Sequence, residues 1–213
     1  MLRLALLLVL AQTGLGQVVS FGQCPNVTAM DNFEADKVSF VGNLQTFSSL
    51  TGWEISEDFE TFQYMGKWYE LERYFAVFEF GGECVTATYT LNENETITVM
   101  NTQTSAITRM QASINGEAKF DGPTNEAKLS VAFSLLPERF AAPYWVLGTD
   151  YEHYTVVWSC LNMGFLHSRN AWILARTQTL TPELLSEAHA ILDKNNISRL
   201  YFIRTNQRNC KDV

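Results

Sequence analysis

Cys84-Val-Thr-Ala-Thr-Tyr-Thr-Leu91 is a strand written as alternation. Val85, Ala87, Tyr89 and Leu91 fall on one side of an extended chain, and Thr86, Thr88 and Thr90 on the other. That is the pattern of a strand with one face in a core and the other in water. Leu129, Val131, Phe133 and Leu135 repeat the device against Ser130, Ala132 and Ser134. From Gly66 to Arg176 further runs rich in β-branched and aromatic residues follow one another: KWYELERYF, TITVMNTQ, PYWVLGTDY, YTVVWSC and AWILAR. Turn signals such as Asn92-Glu-Asn, Phe120-Asp-Gly-Pro and Ala141-Ala-Pro separate them. Short strands at regular spacing predict an antiparallel barrel or sandwich.

One helix is legible beyond the strands. Thr181 is placed to cap it, Pro182 takes the first helical position and Glu183 meets the positive end of the dipole. Leu184, Leu185, Ala188, Ile191 and Leu192 form its apolar stripe, which stops at Asn195-Asn196. A single amphipathic helix after many strands predicts an appendage packed outside the sheet. Leu200-Tyr-Phe-Ile203 reads as a last short strand.

The 213 residues are 46% hydrophobic and 18% charged, enough apolar material for a sizeable core. Asp and Glu number 23 against 15 Lys and Arg, with a pI near 4.9, so the chain lacks the basic footprint of a nucleic-acid binder. Residues 1–16 read as a secretory signal peptide: Arg3, an apolar run from Leu4 to Ala11, then small residues before a cleavage after Gly16. That run is too short to span a bilayer, and the polar tail NQRNCKDV is unlike a lipid-anchor signal, so no transmembrane anchor is expected. Residues 17–213 are expected to form one secreted, extracellular domain.

Cys24, Cys84, Cys160 and Cys210 follow the leader, none of them in a C-x-x-C pair. In an exported chain this predicts two disulfides, with three pairings open. Sequons at Asn26, Asn94 and Asn196 mark three glycosylation positions, each of which has to lie on the surface.

Three landmarks stand in order: Gly66-Lys67-Trp68 opening a strand, Thr149-Asp150-Tyr151 ending another, and Arg176 closing AWILAR. On this trio the chain resembles the lipocalin family. Through CPNV, GKWYELER, APYWVLGTDYEHYTVVWSC and NAWILAR it resembles the apolipoprotein D-like group with its insect, bilin-binding relatives. The resemblance implies an all-β fold, an eight-stranded antiparallel up-and-down barrel with a closed floor, an open mouth and one C-terminal α-helix outside. It also implies bridges from Cys24 to Cys160 and from Cys84 to Cys210. A guanidinium over an indole face is worth about 0.5–2 kcal/mol, so Trp68 and Arg176 are expected to seal the floor.

The chain departs from the family pattern at 38–63. This stretch carries four acids (Glu54, Glu57, Asp58 and Glu60), no Lys or Arg, and no motif readable as chemistry. It is either a genuine insert before the first barrel strand or a gene-model artefact such as a retained intron. As an insert it is tolerable, because loop closure grows only slowly more costly with length.

Ala87, Tyr89, Phe133, Trp172 and Leu174 fall on alternating positions assigned to the interior, and Asn101 shares a face with Ile97 and Val99. The resemblance implies that these six line a cavity for a small hydrophobic ligand, the aromatics supplying area and Asn101 or the Tyr89 hydroxyl fixing orientation. As plain core residues they would need no ligand. Glu70 and Glu72, two apart on a strand, are expected to share a face at a separation of about 7 Å. That is a spacing glycoside hydrolysis can use, but no sugar cleft accompanies it. His153, His167 and His189 have no ligand spacing, so no metal is expected. The expected function is a carrier without catalysis or cofactor, for a fatty acid, sterol, retinoid or bilin. The alternative is a glycosylated interaction protein working through its rim or the 38–63 segment, with a cell-surface receptor as partner. An isomerase would need a free thiol, which a bridged Cys84 does not offer.

Overall fold

The computed structural model describes residues 18–33, 64–75, 81–122, 126–134 and 141–210. The expected signal peptide, the 38–63 segment and Leu135 lie outside them. The strands are β1 (Val18–Phe21), β2 (Gly66–Tyr74), β3 (Gly82–Leu91), β4 (Ile97–Ser105) and β5 (Gln111–Phe120). They continue as β6 (Lys128–Phe133), β7 (Ala142–Thr149), β8 (Tyr154–Met163), β9 (Leu166–Ala175) and β10 (Phe202–Arg204), with helix α1 (Pro182–Lys194) between the last two.

Each strand from β2 to β9 pairs antiparallel with the next, and β2 pairs with β9, so eight strands close into the expected barrel. Closure leaves two half-edges, because each of the closing strands changes neighbours midway. Gly66–Tyr69 of β2 pair with β3, while Glu72–Tyr74 pair with β10. β9 meets β2 at Trp172–Ala175 and β1 at Leu166–Arg169. Added strands thus cover backbone groups that would otherwise be open to a foreign strand.

Alternation divides the core in two. One cluster fills the barrel, with Trp68, Ala87, Tyr89, Ile97, Val99, Leu129, Val131, Val146, Val157 and Leu174. The other lies outside the wall, where Val156, Trp158, Ala171 and Ile173 meet Ala188 and Leu192 of α1. The helix is built as its sequence predicts: the Thr181 hydroxyl accepts from Leu184 N, Pro182 occupies the first turn and Asn195 caps the end. It docks closely because Gly148 has no side chain; a Cβ there would stand 2.7 Å from Ile191 Cδ1.

Three elements differ from expectation. β1 and β5 carry little alternation and were not anticipated. Leu200 and Tyr201 belong to a 3-10 turn, Arg199–Tyr201, so the last strand begins only at Phe202.

Candidate functional site

The floor is built first by local backbone demands. Gly66 adopts φ +90°, a left-handed conformation that side chains disfavour, and this turns Trp68 into the barrel with no exposure at all. The Trp68 indole donates to Tyr64 O at 2.8 Å. Arg176 lays its guanidinium carbon 3.7 Å from the Trp68 ring centroid while donating from Nε to Tyr151 O and from Nη1 to Lys67 O, both at 3.1 Å. Thr149, Asp150 and Tyr151 shape the turn that presents this carbonyl. The Thr149 hydroxyl donates to Tyr154 O and accepts from Tyr151 N, and Asp150 Oδ1 accepts from His153 N and Tyr154 N. Burial lowers the proton affinity of Arg176, while Tyr64 and Asp150 pull the other way. The N-terminal segment completes the floor: Met30 N donates to Val146 O, and the Phe33 ring meets Tyr64 at 5.1 Å.

Above the floor runs a line of hydroxyls. Tyr144 is hydrogen-bonded to both Tyr64 and Tyr89 at 2.8 Å, and the Thr155 hydroxyl donates to Tyr64 at 3.4 Å. Burial pushes Tyr64 up to about 12 and raises Tyr89 and Tyr144 as well, so these phenols stay protonated and neutral. The Tyr89 hydroxyl, one of the two polar tips read from the sequence, is therefore already engaged.

All six residues singled out as lining the interior lie on its inward face. Ala87, Tyr89 and Leu174 are buried within the inner cluster, and Phe133 and Trp172 pack against it. Asn101, opposite Ala87 in the β3–β4 register, carries a buried Oδ1 that meets no hydrogen-bond partner. Phe133 reaches inward across Gly116, where a Cβ would lie 2.9 Å from its ring. Trp158, whose face the sequence left open, is in the outer cluster, and Trp145 stands opposite it.

Glu70 and Glu72 do not share a face. The β2–β9 register slips between them, and this bulge reverses the parity of every later residue in β2. Glu70 points inward, accepting from Arg73 Nε at 2.9 Å and from the Thr205 hydroxyl. Burial pushes its carboxyl up, against the pull of Arg73. Glu72 points outward to His189 Nε2 at 2.8 Å and Arg204 Nε at 3.5 Å. The paired-carboxylate geometry expected from the sequence is thus absent at this pair.

Cys24 is bonded to Cys160 and Cys84 to Cys210, which leaves none of the four thiols free. The second bridge ties a tail that takes the place of β3 beside β2, with Gln207 Nε2 donating to both Glu70 O and Val85 O at 2.8 Å. Asn26, Asn94 and Asn196 are all exposed. Among the described residues no group of His, Cys, Asp and Glu could hold a metal ion.

Sequence reading missed Tyr64, Tyr144, Asn170 and the Glu70–Arg73 pair. Asn170 was within reach: it precedes AWILAR by one residue and shares the parity of Trp172 and Leu174.

The family model of the Lipocalin-like domain matches residues 59–207. Over 100% of its length the chain is 35% identical to apolipoprotein D of Cavia porcellus, covering 97% of that relative. It is 36% identical to apolipoprotein D of Mus musculus, over 98% of this chain and 95% of the relative. Insecticyanin from the tobacco hornworm Manduca sexta superposes with a TM-score of 0.64 at 20% identity, over 90% of this chain and 89% of that one, a likeness of fold. The barrel, its sealed floor and a match running through most of the chain agree: this protein belongs to the lipocalin family.

Proposed function

We propose that the protein is a secreted, glycosylated carrier that holds one small hydrophobic molecule inside its barrel and performs no chemistry on it. The observation that carries this reading is Asn101 Oδ1, a buried acceptor without a partner on an otherwise largely apolar inward wall. A polar atom left unpaired among apolar side chains costs folding energy, and a bound molecule that supplies a hydrogen recovers it. Burying the ligand contributes about 25 cal/mol per Å² of apolar surface removed from water. Family membership supports the same reading.

Ala87, Tyr89, Phe133, Trp172 and Leu174 supply the wall in this proposal, and Asn101 the orientation. Export is supported by the leader-like residues 1–16, two disulfides and three exposed sequons. The ligand is drawn from fatty acids, sterols, retinoids and bilins. Mass spectrometry of organic extracts from protein purified from its native source tests the proposal. A stoichiometric apolar compound is expected; an empty extract, with no saturable binding on titration, overturns it.

A second reading, an interaction protein acting through its surface, is favoured by Phe21, Phe165, Ile107 and Met110. These apolar side chains are exposed near the ends of β1, β8 and β4, on the side of the barrel away from the Trp68 floor. An empty extract would favour it.

A further inference from the structure

We propose that Asn170 is a specificity-determining residue of the barrel interior, and that with Asn101 it selects a neutral apolar ligand bearing an O–H or N–H donor over an anionic one. The inference rests on the carrier reading above and names the class of molecule carried.

Asn170 lies on the inward face of β9, directly across from Ser159 of β8 and two residues before Trp172. It is 5% exposed, and its Oδ1 is buried without a hydrogen-bond partner. Buried side-chain polar atoms nearly always find partners, so such an atom calls for an explanation. An apolar residue of similar size would fill the position without the desolvation cost of an orphan acceptor. Asn101 presents the same unpaired atom from β4, elsewhere on the wall. Both missing partners are therefore donors.

Charge decides against an anion. Among the inward positions of the described barrel strands, Glu70 and Arg73 are the charged residues, and they pair with one another at 2.9 Å. A carboxylate entering this interior would meet neutral carboxamide groups, whose N–H donors carry no full charge, and a cation already committed to Glu70. It would lose its hydration with no counter-charge to compensate it. An alcohol or amide donates to Asn101 or Asn170 and brings no charge. Sites built to hydrogen-bond an O–H or N–H reject analogues lacking it, because their own polar atoms are then left unpaired.

The test is a tryptophan-fluorescence titration of palmityl alcohol, palmityl methyl ether and palmitate into delipidated full-length protein and its Asn170→Leu variant. The three probes share a chain and differ in the head: a neutral donor, a neutral group without a donor, and an anion. Wild type is expected to bind the alcohol at least about tenfold more tightly than either other probe, the ratio a single satisfied hydrogen bond supplies. Asn170→Leu is expected to reduce the preference for alcohol over ether severalfold and to melt no lower than wild type; Asn170→Ala gives the same reading where Leu does not fit. Equal binding of all three by wild type, tighter binding of palmitate, or an undiminished alcohol preference in folded variants overturns the inference and leaves the carrier standing. Binding of none of the three, with an empty native extract, overturns the carrier and the inference together.

Discussion

The Arg176 guanidinium sits over the Trp68 indole, 3.7 Å from ring centroid to central carbon, while two of its N–H groups hold the carbonyls of Tyr151 and Lys67. One side chain thus joins β2 to the turn that follows β7 and closes the floor over both. Arg176→Ala is expected to destabilise the fold by about 2–4 kcal/mol, from the lost cation–π contact and two charge-assisted bonds. Arg176→Lys should recover little, since an ammonium does not reproduce the planar fork. Urea unfolding measures both. Ligand preference should not change, and a variant of normal stability with altered preference would contradict this role.

The buried tyrosines make stability sensitive to alkali. Tyr64, Tyr74 and Tyr154 are each pushed from 10.0 up to about 12 by burial, and Tyr89 and Tyr144 are raised as well. A raised folded pKa means that the native state keeps its protons longer than the unfolded chain. The contribution is complete below about pH 10 and is lost as pH rises through about 12. Stability should therefore fall steeply between these values, with the buried tyrosines ionising together as the barrel opens. Tyrosinate absorbance recorded alongside circular dichroism checks this; ionisation of all eight tyrosines with the barrel intact would refute it.

Glu70 and Arg73 form an ion pair with side chains 4% exposed. Removing one partner strands the other, so Glu70→Ala should cost about 3–5 kcal/mol. Replacing both with Leu and Met should return most of that loss, because two desolvation penalties disappear with the pair. A double variant as unstable as the single one would show that Glu70 acts mainly through Thr205 instead.

Trp172 packs against the inner cluster from β9, and in the carrier reading it offers a ligand a large face. Trp172→Ala should weaken binding of a palmityl chain by about 1–3 kcal/mol, roughly ten- to a hundredfold, with the fold retained. Equal affinity and equal fluorescence quenching in both proteins would place the ligand elsewhere.

How legible the molecule is from sequence varies strand by strand, for physical reasons. β3 and β6 alternate cleanly because their inward residues are apolar and mostly large, while their outward ones are mostly polar. β5 hides, since its inward positions Ala112, Ile114, Gly116 and Ala118 are mostly small. At Gly116 the room is taken by Phe133 from β6, so the apolar signal of one strand is carried by its neighbour. Glu70 and Glu72 misled for a different reason. A bulge is an adjustment of pairing between strands, and GKWYELERY carries no local mark of it. Asn170 was passed over because the apolar run starts at Ala171, although simple parity already placed it beside Trp172. The Trp68–Arg176 contact is distant in sequence, and only the ordered trio of motifs made it foreseeable.

The meeting of the Phe33 and Tyr64 rings at 5.1 Å bears on chain architecture. Both residues are buried at the floor, so the chain positions that flank 34–63 are held together at one place. Whatever is spliced between them is a detour that starts and finishes at a shared anchor, and its length enters the energetics only logarithmically. A transcript that omits most of 34–63, joined by a short glycine-serine bridge, should therefore yield a barrel with the same floor and the same interior. Evolution or an engineer has a free port there, at the sealed end and away from the mouth through which cargo would pass.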